Sequence, residues 1–226
     1  MKRLAVILAR GGSKRIINKN IRLFHGKPII SYSIKAINKS KIFSRIHIST
    51  ESEKVIAVLK KLNFVIDFKR PKFLAGDNVA SMDVIKFVYE FYKKKGIHFD
   101  EVWNISACAP LMKVSDIVRA SNILKNNRNK MILSVSEYSV PIEWAFLKNK
   151  NNNLKPLAPG SLKIRSQDLK KKYHDIGYFY GMPSRFLENK TKNWDNNFLG
   201  LEIEKHRAVD IDKLSDWKLA ERLFKS

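Results

Sequence analysis

A single cysteine, Cys108, stands among 226 residues, so no disulfide can close within the chain. That count fits a reducing cytoplasm. No apolar run reaches the roughly 18–20 residues of a membrane span. The apolar stretch after Met1-Lys2-Arg3 is broken by Arg10, which argues against an export signal. The two commonest nucleotide fingerprints, G-x-G-x-x-G and G-x-x-x-x-G-K-[ST], are both missing, as are zinc-ligand spacings and a Ser-His-Asp order. Acidic residues are scarce: 21 Asp and Glu face 44 Lys and Arg, a formal net charge of +23. Such an excess invites a nucleic-acid partner, and a non-catalytic basic nucleic-acid-binding protein is the distant alternative. The cations are mostly lysines, scattered among many Asn and Ile residues, the combination that AT-rich codon usage would produce. The expectation is therefore no nucleic acid and no membrane among the partners.

What is present is a folded α/β chain. Hydrophobic residues make up 44% and aromatics 11%, which excludes wholesale disorder. Leu4-Ala5-Val6-Ile7-Leu8 reads as a buried strand. Pro28 opens a helix carrying Ile30, Ile34 and Ile37 at i, i+4, i+7. Arg45 to Thr50 alternates like a strand; Val55, Val58, Leu59 and Leu62 mark a helix face. Phe64-Val65-Ile66 reads as a short strand, and Val84, Val88, Phe91 and Tyr92 as a helix. Strands follow at Glu101 to Ser106 and Met131 to Val135, separated by a helix with Ile117, Ala120 and Leu124. This alternation predicts a mostly parallel sheet with helices on both faces. The pattern breaks between Ser139 and Lys172, a long irregular stretch of the kind that serves function or interaction. Strand character resumes at Tyr178-Phe179-Tyr180, and Ala208 to Asp212 leads into a last helix with Trp217, Ala220 and Phe224.

The stretch richest in chemistry directly follows the first strand: Ala9-Arg10-Gly11-Gly12-Ser13-Lys14-Arg15-Ile16-Ile17-Asn18-Lys19-Asn20. Two glycines let the backbone approach an anion, and four cations supply the charge a polyphosphate needs. In a parallel sheet such a loop lies at the carboxyl ends of the strands, where ligands bind. Asp210 and Asp212 are one residue apart, so at a strand end both carboxylates point the same way. Two such oxygens suit Mg²⁺; capping the next helix is the structural alternative. Arg70-Pro71, Leu74 to Asp77 and Ser81 form a polar loop opening a helix, with a turn or capping role as the default. His174 and Asp175 are candidate contacts to a polar ligand. Nothing around Cys108 lowers its pKa, so a nucleophilic role is not expected.

Taken together these residues resemble the CMP-sialic acid synthetase family, cytidylyltransferases that activate nine-carbon keto-sugar acids. The opening string is similar to the family's A-R-G-G-S-K-x-[IL]-x-x-K-N signature, and Arg70-Pro71, Ala109-Pro110-Leu111 and Asp210-Ile211-Asp212 follow in order. Lys14-Arg15-Ile16, Phe24 to Ile30, Arg165 to Leu169 and Tyr173 to Tyr180 look like the branch that activates pseudaminic acid. Ile17, Ser106 and Met112-Lys113 depart from the family pattern.

The resemblance implies a Rossmann-like domain of the nucleotide-diphospho-sugar transferase type spanning residues 1–226, with 139–172 as an arm that pairs two protomers. It implies CMP transfer from CTP to pseudaminic acid with Mg²⁺, in the cytoplasm, serving surface glycan or flagellin glycosylation. Legionaminic or N-acetylneuraminic acid is the nearer alternative. By the same resemblance Arg10, Lys19 and Asp210 are catalytic. Ala9, Gly11, Gly12, Ser13, Asn20, Arg70 and Ser81 hold the nucleotide, Gln167, His174 and Asp175 face the sugar, and Asp210 with Asp212 holds the metal.

Overall fold

The computed structural model describes residues 1–188 and 197–225. Its elements are β1 (Arg3–Leu8), β2 (Leu23–Phe24), β3 (Lys27–Pro28), α1 (Ile30–Ser40), β4 (Arg45–Ser49), α2 (Glu53–Lys61), α3 (Ser81–Lys94) and β5 (Glu101–Ser106). Then come α4 (Val114–Lys125), β6 (Met131–Glu137), β7 (Phe146–Lys148), β8 (Leu154–Pro156), β9 (Tyr173–Pro183), α5 (Arg185–Glu188), β10 (Phe198–Glu202) and α6 (Leu214–Lys225).

Six strands form one sheet in the order β10-β6-β9-β5-β1-β4. Five of the six run the same way and β9 alone is reversed, antiparallel to both β5 and β6. The mostly parallel, Rossmann-like sheet is therefore present, with one inverted strand that residue patterning did not show. Alternate residues of the central strands feed two apolar layers. Ile7, Trp103 and Phe179 pack with residues of α1, α4 and α6. Leu4, Val6 and Val102 pack with Ile85, Val88 and Tyr92 of α3. Helices thus cover both faces, and the carboxyl ends of β1, β4 and β5 are left open to a ligand.

Four local expectations need correction. Pro28 lies in β3, and the first helix begins two residues later at Ile30. Phe64 to Ile66 is not a strand: Phe64 N–H donates to Leu59 O, closing α2, and Val65 is 79% exposed. The stretch follows α2 and pairs with no strand, so Phe64 and Ile66 act as plugs on the core. Strand character resumes at Tyr173 rather than Tyr178. Residues 208–212 are extended but pair with no strand, although Val209 and Ile211 point inward as a strand's alternate residues would.

The irregular stretch from 139 to 172 holds the small hairpin β7–β8 and three 3-10 turns. Its own polar contacts shape it: Ser161 Oγ donates to Glu143 O, and Trp144 Nε1 donates to Ser161 O at 3.1 Å. Val140, Leu147, Leu154, Leu157 and Leu162 are each more than half exposed.

Candidate active site

The loop after β1 is shaped by a few committed atoms. Ala9 N–H donates to Ser49 O at 3.0 Å, stitching the strand exit to β4. Gly11 N–H donates to Glu51 Oε1 at 2.7 Å. A Cβ on Gly11 would lie 2.8 Å from Ser52 Cβ, so only glycine lets the loop press against the start of α2. Gly12, by contrast, faces open space. Ile16 is buried and anchors the loop, and Asn18 takes a left-handed φ of 54°, which asparagine tolerates. That turn presents Lys19 from a short 3-10 helix. Asn20 is tied at both ends of its carboxamide: Nδ2 donates to Arg10 O at 2.9 Å, and Oδ1 accepts from Cys108 Sγ at 3.4 Å.

All four cations of the loop are paired with carboxylates brought from afar. Arg10 and Lys14 each sit 2.6 Å from Asp77. Those contacts, Lys14 first and Arg10 second, hold the Asp77 carboxyl below its ordinary range. Arg15 grips Asp212 through both guanidinium arms at 2.9 and 3.0 Å, across 197 residues of chain. Lys19 Nζ donates to Ile211 O at 2.7 Å and lies 3.4 Å from Asp212 Oδ1. The amino-terminal loop and the carboxyl-terminal acids therefore meet in space.

The acidic segment is held from beneath. Arg207 makes a two-armed pair with the fully buried Asp116 at 2.5 and 2.8 Å. Tyr178 OH donates to Arg207 O and accepts from Val209 N–H. Asp116 also caps α4 by accepting from Lys113 N–H at 2.9 Å. One carboxylate thus ties the start of α4 to the segment that presents Asp210 and Asp212. Gly177, at φ +68°, leaves room beside them: a Cβ there would lie 3.5 Å from the Asp210 carboxylate. Burial, then the neighbouring Asp212 charge, raises the Asp210 carboxyl above its ordinary range; Lys19 opposes the shift and Asp175 adds to it.

A cavity of about 390 Å³ opens between these elements. Arg10, Ser13, Lys19, Asn20, Arg70, Ser81 and Asp212 line it, so residues expected from three separate parts of the sequence share one cavity. Arg70 is 5% exposed and bonds Ser49 through Nε and Nη2, anchoring the loop that carries Leu74 to Ala80. Asp210 and Asp175 do not line it; the Asp210 carboxylate lies beside Gly177, which does. Ala9 is buried below the cavity, and Gly11 and Gly12 shape its entrance loop without lining it. Asp175 accepts from Gly177 N–H at 2.8 Å and lies within electrostatic reach of Asp210. His174 packs against Tyr138 and Gln167 sits in an exposed 3-10 turn; neither lines the cavity. Burial pushes the Cys108 thiol up to about 12, as expected for a structural cysteine.

Sequence reasoning missed three contributors. Glu51 follows the end of β4, a position where parallel sheets place ligand-facing groups, and this was its available signal. Asn104 lines the cavity from inside β5, set between the apolar Trp103 and Ile105. The Asp116–Arg207 pair spans 91 residues, and no local pattern announces it.

The profile of the cytidylyltransferase family matches residues 4–219. This chain belongs to that family. Over the whole chain it is 36% identical to a pseudaminic acid cytidylyltransferase of Campylobacter jejuni, covering 97% of that protein. It is 29% identical to a CMP-N,N'-diacetyllegionaminic acid synthase of Legionella pneumophila, covering 99% of this chain and 97% of that one. Among solved structures it resembles a CMP:2-keto-3-deoxy-manno-octonic acid synthetase complexed with CTP, with TM-score 0.74, 14% identity, and coverage of 100% and 99% of the two chains. At that identity the likeness concerns the fold. Family membership makes the chain a CTP-using nucleotidyltransferase.

The donor set of this cytidylyltransferase fits a divalent metal. Asp210 and Asp212 repel each other, and the Asp210 carboxylate has no hydrogen bond or ion pair among the described residues. Mg²⁺ takes one or two carboxylates together with substrate phosphates, and this pair beside a cationic loop fits that donor set. Among the described residues no cluster of three or more His, Cys, Asp or Glu side chains forms an all-protein metal cage.

Proposed function

We propose that this cytidylyltransferase transfers CMP from CTP to pseudaminic acid and releases diphosphate. The observation that carries the reading is the meeting of the Arg10–Lys19 loop with the Asp210–Asp212 segment around one cavity. The pseudaminic acid relatives support the choice of sugar acid. The legionaminic acid relative supports a second reading in which that acid, or N-acetylneuraminic acid, is the acceptor.

In the mechanism the anomeric hydroxyl of the sugar acid attacks the α-phosphorus of CTP. The barrier is one of positioning and charge, so the chain supplies cations rather than a covalent nucleophile. Arg10 and Lys19 exchange their internal carboxylates for phosphate oxygens and stabilise the charge that grows on the leaving diphosphate. Ser13 and the backbone of Ala9, Gly11 and Gly12 set the curve of the loop along the triphosphate. Arg70 and Ser81 stand at ribose and base, and Asn20 keeps the loop in register. Asp210 and Asp212, the latter once free of Arg15, would hold Mg²⁺, a Lewis acid that would neutralise phosphate charge. Asp175, beside Asp210, faces the sugar acid.

Gln167 and His174 reach a sugar acid only in an assembly. The protein acts as a homodimer in which the 139–172 arm covers a partner's site and a partner's arm covers its own. The exposed leucines of the arm support this arrangement. Residues 1–226 form one catalytic domain, working in the cytoplasm; no helix among the described residues is long and apolar enough to cross a membrane.

Diphosphate release tests the reading directly. With CTP and Mg²⁺, purified protein is given pseudaminic, legionaminic or N-acetylneuraminic acid in turn. Release with pseudaminic acid in preference to the others is expected. Preference for another acid would overturn the choice of sugar alone, and silence with all three would overturn the enzyme reading.

A further inference from the structure

The ladder between β9 and β6 is interrupted at one place. Leu133 pairs with Tyr180 and Val135 with Asp175, so β9 spends residues 176–179 where β6 spends Ser134 alone. Side-chain bonds hold the irregularity in shape. Ser134 Oγ accepts from the N–H groups of Tyr178 and Phe179 at 3.1 and 3.2 Å, and donates to Phe179 O at 3.3 Å. Bulges beside active sites re-aim the residues they contain. Here Gly177 comes against the Asp210 carboxylate, and the Tyr178 ring enters the apolar layer of α1, α4 and α6, where it is 1% exposed.

The Tyr178 hydroxyl closes on the backbone that leads to the acids. Ala208, at φ −84° and ψ 81°, forms an inverse γ-turn in which Val209 N–H donates to Arg207 O at 3.1 Å. Tyr178 OH donates to that carbonyl and accepts from that N–H at 3.4 Å, so one hydroxyl engages both polar groups of the turn. The turn ends at Val209, and Asp210 is the next residue. Residues 208–212 pair with no strand, so no ladder fixes the direction in which the acids leave it.

We propose that Tyr178 is a positioning residue for the metal pair: its hydroxyl locks the turn at Ala208 and thereby sets where Asp210 and Asp212 stand. It acts through the backbone of the turn. The bulge in β9 exists, on this account, to deliver that hydroxyl and the bare Gly177 to the same short segment. The inference rests on Asp210 and Asp212 being the Mg²⁺ ligands and is independent of which sugar acid accepts CMP.

The test uses Tyr178→Phe, which keeps the ring in the core and deletes only the hydroxyl. CTP is titrated calorimetrically into wild type and variant over a range of Mg²⁺ concentrations, with a melting curve for each protein. Without Mg²⁺ the two should bind CTP alike. The Mg²⁺ concentration that gives half of the full gain in CTP binding should rise about tenfold in the variant, the worth of one ordinary hydrogen bond. Should Phe impair folding, Ala208→Gly loosens the turn itself and is expected to raise that concentration about threefold. A hydroxyl with a merely structural role would lower the melting temperature and leave the Mg²⁺ requirement where it was, which would overturn the proposal. An equal loss of CTP affinity with and without Mg²⁺ would overturn it too. Wild type whose CTP binding does not respond to Mg²⁺ would instead remove the metal reading beneath it, a result separate from the other two.

Discussion

Between Arg10 and Lys19 every cation has a carboxylate partner elsewhere in the same chain, whereas between 139 and 172 five aliphatic side chains are more than half exposed. The first region is complete within one protomer. Its ion pairs, Asp77 with Arg10 and Lys14, and Asp212 with Arg15 and Lys19, occupy the charges that a metal-bound triphosphate would occupy. The second region has local hydrogen bonds but lacks a cover for its apolar surface. The difference is that the cationic loop is preorganised by long-range pairs inside the chain, while the 139–172 stretch leaves apolar side chains uncovered.

The sharpest way to break this contrast is to remove the support under the acids. Asp116→Ala leaves Arg207 buried without its main partner, and breaking such a pair costs about 3–5 kcal/mol. Urea unfolding should show a loss of that order, with activity falling further as residues 208–212 loosen. An unchanged midpoint would mean that the segment is positioned by other contacts. Next in size, Leu154→Glu with Leu157→Glu targets the arm. Light scattering should show a shift from dimer to monomer, with kcat/KM for the sugar acid falling at least about tenfold and Tm holding nearly steady. A dimer of undiminished activity would remove the arm from the site.

The smallest effect concerns Asp77, which pairs with Arg10 and Lys14 and, under the proposed mechanism, competes with phosphate for them. Asp77→Asn is expected to tighten CTP binding about twofold to fivefold at low salt. The gain should fade at high salt as these exposed charges are screened. Weaker binding would show that Asp77 organises its loop instead of opposing the ligand.

Much of this was legible in the chain. The β/α alternation and the Arg10–Lys19 loop depend on local periodicity and on residues adjacent in sequence, so they could be read directly. Asp210 and Asp212 could be read as a pair, although their extended backbone is held by Tyr178 and Arg207 and not by a sheet. Features that depend on distant partners were not legible. The reversal of β9 is decided by pairing with β5 and β6, and Phe64-Val65-Ile66 lost its strand because no neighbour was available. Asn104 carries no signal until the cavity is seen. Gln167 came from resemblance and His174 from its place before the Tyr178 strand, and neither lines the cavity in one chain.

Calorimetric titration of CTP with and without Mg²⁺, into wild type and Asp210→Asn, addresses the convergence of loop and acids most directly. Mg²⁺ should tighten CTP binding to wild type by at least about tenfold and should have little effect on the variant, whose melting curve stays as before. A variant in which Mg²⁺ still strengthens CTP binding to the wild-type extent would contradict the account.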